Sequence, residues 1–335
     1  MLPSKKTSII YDANDDELVK TAAHLFQKDV EMITGISLSL TNTVSSSRNF
    51  IIIGTIDKSH FIRQLIQSNK LEVKKIKTTW EGYLIQVVKN PFPGVSEALV
   101  ITGSDRRGTA FGVFELSRQM GISPWYWWAD VPVMKKNSLY FKKGIILSDA
   151  PKVKYRGIFI NDEAPALSNW SKEKFGGFNH LFYEKVFELM LRLKSNYIWP
   201  AMWGNAFYDD DSLNIKTADK YGIIIGTSHH EPLMRAHDEW RRYGSGKWNY
   251  DSNEVKLKAF WRFGIQRATN EKIVSVGMRG DGDEPMSRET ATSLLERIVK
   301  DQRQIIQDVT GQPGNHNTTA FGPCIKKCRI IMIKA

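Results

Sequence analysis

From Lys154 onward the chain alternates short apolar runs with helical stretches four times, and every apolar run ends on polar or aromatic residues. The runs cover 156–160, 196–199, 222–226 and 272–276. The helical stretches cover 180–193, 215–220, 255–269 and 288–309. Repeated strand–helix units argue for a parallel sheet with right-handed crossovers. Four of them correspond to the first half of a (β/α)8 TIM-type barrel, a fold that usually needs ~250 residues. The fold class is therefore α/β. The expected organisation is an N-terminal α/β domain over 1–148, a partial (β/α)8 barrel over 149–313 and a tail over 314–335.

Residues 1–148 show strands at 8–11, 50–53, 82–88 and 98–101, with helices at 15–33 and 109–119. Asp15 or Asp16 is placed to cap the first helix and Gly35 to stop it. The stretch Gly103-Ser-Asp-Arg-Arg-Gly108-Thr-Ala-Phe-Gly112 lies between a strand and a helix, where backbone N–H groups can hold a phosphate. Its glycine spacing fits neither the dinucleotide fingerprint nor a P-loop, so it reads as a tight strand-to-helix turn. An aromatic loop from Pro124 to Pro132 leaves the domain.

Composition narrows the classes. Hydrophobic residues are 41% and charged residues 25%, a globular balance. No apolar run approaches ~18 residues, which argues against a membrane helix. Met1-Leu-Pro-Ser-Lys-Lys has no signal-peptide core. Two cysteines, Cys324 and Cys328, do not make a disulfide scaffold. The net charge of +11 comes from scattered lysines, with no nucleic-acid motif. It fits a solvated surface or a general attraction for acidic polysaccharide. Ten tryptophans supply flat faces suited to sugar rings or to core packing.

In such barrels, chemistry sits beyond the C-terminal ends of the strands. Strand one runs into Asn161-Asp162-Glu163. Strand two runs into Trp199-Pro-Ala-Met-Trp203-Gly-Asn205, and strand three into Ser228-His229-His230-Glu231-Pro232. Strand four runs into Met278-Arg279-Gly280-Asp281-Gly282-Asp283-Glu284. Four such termini in register argue for one convergent cleft, and carboxylates, tryptophans, histidines and one arginine suit a sugar. Each group has a second reading. Asp162 or Glu163 can cap the next helix. His229, His230 and Glu231 can be structural or metal ligands, although adjacent residues at a strand end face opposite ways and a shared ion needs a further ligand. Asp281, Asp283 and Glu284 resemble part of a calcium loop without its twelve-residue pattern. Arg279 can neutralise these carboxylates or clamp a substrate carboxylate.

These termini resemble glycoside hydrolase family 115, the xylan α-1,2-glucuronidases. The resemblance is carried by Tyr155-Arg-Gly-Ile-Phe-Ile-Asn-Asp-Glu163, Ser195-Asn-Tyr-Ile-Trp-Pro-Ala-Met-Trp203, Gly226-Thr-Ser-His-His-Glu-Pro232 and Gly277-Met-Arg-Gly-Asp-Gly-Asp-Glu284. It also runs through Thr102–Ser117 and Ser123–Asp130. It implies removal of glucuronic acid or its 4-O-methyl ether from xylan side chains, with inversion and with neither metal nor other cofactor. Asp162 and Asp283 are then expected in the catalytic pocket, with Trp203, His229 and Arg279 on the uronic acid. Asn205, Glu163 and Glu284, from the same termini, complete the candidate substrate-binding set. The expected partner is glucuronoxylan or a related glucuronidated polysaccharide, with no nucleic acid and no membrane. Relatives are often homodimeric and usually exported, and the location of this chain is left open.

The sequence departs from the family after the helix near Thr310. Family members continue into Leu-Tyr-Lys-Glu-Val-Gln, whose glutamate is the proposed general acid, and then into a strand ending Asp-Asp-Asn-Trp-Gly. Here the chain reads Gly322-Pro-Cys-Ile-Lys-Lys-Cys-Arg-Ile-Ile-Met-Ile-Lys-Ala335. Back-translated and read in a shifted frame, Phe321–Ala335 permits Trp-Ala-Leu-Tyr-Lys-Glu-Val-Gln. The expectation is a frameshift-derived tail over 314–335 and a truncated, inactive enzyme. A barrel half exposes a strand edge, which 329–333 is long enough to cover without a selected register, and poor solubility or association is expected. Two other functions fit: a non-catalytic carbohydrate-binding protein retaining Trp203, His229 and Arg279, and a metal-dependent hydrolase using His229 or His230.

Overall fold

The structure, a computed structural model, describes residues 7–44, 49–141, 144–161, 163–280, 291–311, 319–321 and 330–334. Two compact units form. The first comprises Met1–Arg156, Glu188–Asn196 and Lys220–Gly222; the second comprises Gly157–Phe187, Tyr197–Asp219 and Ile223–Ala335.

The first unit contains β1 (Thr7–Tyr11), α1 (Glu17–Thr34), β2 (Ser39–Thr41), β3 (Asn49–Thr55), α2 (His60–Gln67), α3 (Lys74–Lys77), β4 (Tyr83–Lys89), β5 (Glu97–Gly103), α4 (Arg106–Met120) and β6 (Gly144–Asp149). The sheet order is β2-β1-β3-β5-β4-β6. The first four strands are parallel, and β4 and β6 pair antiparallel. Alternation along the strands splits the core. Ile10, Ile52 and Val100 pack with Phe61, Ile62 and Leu65 of α2, whereas α1 and α4 pack on each other and on the sheet.

One local expectation shifts and another holds. Asp16, not Asp15, precedes α1, and it makes no side-chain cap. The Asp15 carboxylate instead accepts the Thr55 N–H and hydroxyl, both at 2.8 Å, tying the end of β3 to the loop between β1 and α1. The stretch after Gly103 is the expected turn into a helix. Asp105 accepts the Gly108 N–H at 2.9 Å and the Glu81 N–H at 2.7 Å, so the α4 N-terminus is filled by the protein's own carboxylate.

The second unit starts with β7 (Gly157–Phe159), α5 (Ala166–Phe175) and α6 (His180–Arg192), the last residues of α6 being assigned to the first unit. It continues through β8 (Tyr197–Trp199), α7 (Phe207–Asp210), α8 (Leu213–Tyr221) and β9 (Ile224–Ile225). After a 3-10 turn at Pro232–Met234 come α9 (His237–Tyr243), α10 (Tyr250–Arg267), β10 (Ile273–Val276), α11 (Ala291–Thr310), β11 (Thr319–Phe321) and β12 (Ile330–Lys334). Strands β7, β8 and β9 pair parallel in that order, and a parallel bridge from Ile225 to Lys272 carries the direction on to β10. β9 and β10 are apolar and buried, with Ile225 and Val274 fully enclosed, as parallel strands covered by helices are; in β8 Ile198 is fully enclosed, whereas β7 at the edge of the sheet is largely exposed. This is the strand–helix alternation of a partial (β/α)8 barrel following an α/β domain.

The run expected to imitate a fifth strand does pair with β10, but as β12 and antiparallel. β11 pairs antiparallel with β12 and so runs in the direction of β10, one strand removed.

Candidate active site

Each parallel strand of the second unit delivers a different kind of group at its C-terminal end. Beyond β7, Ile160 is buried, Asn161 is exposed and Glu163 is fully buried. Asp162, Asp281, Asp283 and Glu284 lie outside the described residues. Glu163 does not cap α5. Its Oε1 accepts the N–H groups of Met202 at 3.1 Å and Trp203 at 2.7 Å, joining the ends of β7 and β8.

Beyond β8, Ala201 and Met202 turn inward, and the Ala201 N–H donates to the Tyr183 hydroxyl at 3.3 Å. Trp203 follows with its side chain 47% exposed. Asn205 donates its amide to the Trp203 carbonyl at 2.8 Å, so that group of Asn205 is spent on the loop. The Trp203 indole lies 5.6 Å from the His230 ring, and the His229 and His230 rings are 4.1 Å apart.

The segment beyond β9 is bonded to itself. Thr227 donates its hydroxyl to the Glu231 carbonyl at 2.6 Å, and the Ser228 N–H donates to the Glu231 carboxyl at 3.3 Å. Leu233 and Met234 then take φ values of 53° and 61°, a left-handed pair of fully buried, non-glycine residues. Such backbone costs of order 1–3 kcal/mol per residue and persists where surrounding packing over-determines it. Arg235 supplies part of that packing, with its guanidinium 3.8 Å from the Phe260 ring centre and an ion pair to Glu239 at 2.9 Å.

Among the described carboxyls of this region, Glu231 is the most perturbed. Burial, and then the nearby charges of Glu239 and Glu163, push it up to about 8, against the opposing Ser228 N–H bond. It is therefore protonated at neutral pH. With Pro200, Ala201, Phe207, Tyr208 and Thr227 it lines a small void behind the strand ends.

Beyond β10, Gly277 has a φ of 122°, open to glycine and strained for other residues. Its N–H donates to Gln302 Oε1 at 2.6 Å and its carbonyl accepts Gln302 Nε2 at 2.8 Å. Trp248 donates its indole N–H to the Arg279 carbonyl at 2.9 Å. Ser275 donates to the Thr227 carbonyl at 2.6 Å, fixing β10 beside the end of β9.

The described contacts thus gather Glu163, Trp203, Asn205, His229 and His230, while Gly277 is held from α11 by Gln302 and the Arg279 carbonyl by Trp248. Among the described residues no group of three or more His, Cys, Asp or Glu is arranged to hold a metal ion. Sequence reasoning missed Gln302, Trp248 and the Arg235–Glu239 pair. Gln302 had a signal: it interrupts the buried stripe of Leu294, Ile298, Ile305 and Ile306. A buried amide on an apolar stripe needs a backbone partner.

Comparisons with known proteins follow this geometry. The model of glycosyl hydrolase family 115 matches residues 148–322, more than half of the chain, and that of the glycosyl hydrolase family 67 N-terminus matches residues 3–116. Among solved structures the chain is similar to BtGH115A, a family GH115 4-O-methyl-α-glucuronidase with specificity for decorated arabinogalactans. The TM-score is 0.81 at 30% identity, over 92% of this chain and 41% of that one. The chain therefore spans less than half the length of that enzyme. A chitobiase of Flavobacterium johnsoniae (12% identity, TM-score 0.50, 91% of this chain and 48% of that one) shares the fold. So does an N-acetyl-β-hexosaminidase of Streptomyces plicatus (10% identity, TM-score 0.50, 92% of this chain and 60% of that one). No curated protein matches the chain. The family match over the strand-end segments, joined to the close superposition on BtGH115A, establishes that this chain belongs to glycosyl hydrolase family 115 and is by family a glycosidase.

Proposed function

We propose that the ends of β7 to β10 form a pocket for glucuronic acid or its 4-O-methyl ether, in the lineage of inverting α-1,2-glucuronidases acting on polysaccharide side chains. The observation that supports this reading is the line of contacts from Glu163 through Trp203 to His230 and His229, at the C-terminal ends of adjacent parallel strands. Trp203 offers a half-exposed flat face to the sugar ring. His229 supplies a ring nitrogen to a hydroxyl. Arg279 pairs with the uronate carboxylate through its two-pronged guanidinium. Asp162 and Asp283 are the candidate catalytic carboxylates, and Glu284, next to Asp283 in sequence, is a candidate substrate-binding residue. Inversion requires an acid and a base ~6.5–9.5 Å apart, with a water between the base and the sugar.

Residues 311–335, where the family carries Leu-Tyr-Lys-Glu-Val-Gln with its proposed acid, do not read that segment. Loss of general-acid assistance commonly lowers the rate ~10²–10⁴-fold, so the chain by itself binds and does not turn over. A non-catalytic uronate-binding role is the second reading, favoured by the same missing glutamate. The polysaccharide is a glucuronoxylan or, as for BtGH115A, a decorated arabinogalactan. The test incubates the chain with both polymers and measures released uronic acid alongside polymer binding. Binding without release is expected. Rapid release overturns the inactive reading, and failure to bind either polymer overturns the pocket.

A further inference from the structure

We propose that Glu163 is a positioning residue that sets Trp203 as the sugar platform and does not itself touch the sugar. The inference rests on the reading of Trp203 as a uronic-acid contact. Glu163 is fully enclosed, which leaves a ligand no approach to its carboxylate. Its Oε1 takes two successive backbone N–H groups, of Met202 and Trp203. The Glu163 main chain is fixed in turn, since its carbonyl accepts the Ser168 N–H at 2.7 Å and the Ser168 hydroxyl at 3.1 Å.

The loop is held from its other side as well. Asn205 binds the Trp203 carbonyl, and Arg242 donates to the Gly204 carbonyl at 3.3 Å. The backbone at Trp203 is thus fixed on both sides while the indole remains half exposed. A core tryptophan would show the reverse, with a buried ring. A side chain presented on a pre-set backbone loses less freedom when a ligand arrives, and that preserves affinity. The second oxygen of Glu163 is buried without a hydrogen-bond partner among the described residues, a destabilising arrangement that packing alone does not call for.

Two substitutions separate positioning from contact. Glu163→Gln keeps an acceptor oxygen at the same reach; Glu163→Ala removes it. In the full chain, amide hydrogen exchange at Met202 and Trp203 is followed together with calorimetric titration of D-glucuronic acid. Glu163→Ala is expected to speed exchange of both amides and to weaken binding about tenfold. Glu163→Gln is expected to restore both to within about threefold of the parent. Should Glu163→Ala fail to fold, Glu163→Asp, one methylene shorter, takes its place. Unchanged exchange in Glu163→Ala overturns the proposal. So does loss of binding in Glu163→Gln with the two amides still protected, because the carboxyl group would then be contacting the sugar. If the parent chain binds no glucuronic acid, the uronate reading fails alone, and the exchange of the two amides still decides whether Glu163 holds the loop.

Discussion

Glu115 of the first unit and Glu231 of the second are equally hidden, at 6% and 4% exposure, yet their acidities diverge. Burial pushes both up. At Glu115 that effect is overcome by bonds from Arg118 at 2.7 Å and Gln119 at 3.1 Å and by Lys194 at 3.1 Å, which together bring it down to about 2. At Glu231 the neighbours include two further carboxylates, Glu239 and Glu163, and it rises to about 8. Depth of burial and the charge of the neighbours together set the acidity.

The contrast extends beyond the two residues. In the first unit, Glu81 is paired with Arg107 and Arg156, both at 2.6 Å, and Asp29 with Arg192 through two bonds of 2.8 and 2.9 Å. Those charges hold the fold. Around the strand ends of the second unit, carboxyls crowd one another behind an exposed tryptophan and a left-handed backbone pair. Perturbed groups of that kind collect at functional sites.

The largest expected effect breaks the paired side of the contrast. Arg192→Ala leaves Asp29 and Glu188 buried without their cation and should destabilise the chain by ~3–5 kcal/mol, read by urea unfolding. A loss below about 1 kcal/mol would show that these charges are not interdependent.

Glu231 comes next, and its sign is opposite to that of an ordinary paired carboxylate. Its folded value of about 8 lies above the ordinary 4.5, so the folded state binds the extra proton between those limits. Stability should fall as pH rises from 4.5 to 8 and level off above. Glu231→Gln should flatten that slope and be more stable at pH 8 by a few kcal/mol, on the order set by 1.36 kcal/mol per pKa unit. An unchanged slope in thermal midpoints would contradict the protonated assignment.

Glu115 gives the mirror image on a smaller scale. Its folded value lies below 4.5, so its contribution is present above that pH and is lost as pH falls towards 2. Glu115→Gln should cost about 1 kcal/mol at neutral pH, since exposed Arg118 is screened, and nothing at pH 2. The smallest stability effect belongs to Trp203→Ala, within about 1 kcal/mol for an exposed side chain, while affinity for a uronic acid should drop about tenfold.

Much of the architecture was legible because it depends on local pattern. The four strand ends stand out where apolar runs meet Asn161, Trp203, His229 and Arg279, and helices such as α10 and α11 follow from apolar spacing. What stayed hidden depends on distant neighbours. Glu188–Asn196 belongs with the first unit because Arg192 meets Asp29 and Asn196 meets Glu81, contacts between residues far apart in the chain. The antiparallel edge strand β6 had no turn signal linking it to β4. Glu163 and Asn205 read as sugar-binding types, but their partners are the Trp203 backbone, and residue type does not reveal which way a polar group turns. Glu231 shows the same limit, since the sequence displays a carboxylate and not the carboxylates beside it.

The pocket itself is tested most directly by calorimetry of the full chain with D-glucuronic acid and with D-glucose, which differ at the carboxylate. The account predicts binding of the uronic acid, none of the neutral sugar, and loss of the former in Arg279→Ala. Equal binding of the two sugars, or uronate binding that survives Arg279→Ala, would contradict it.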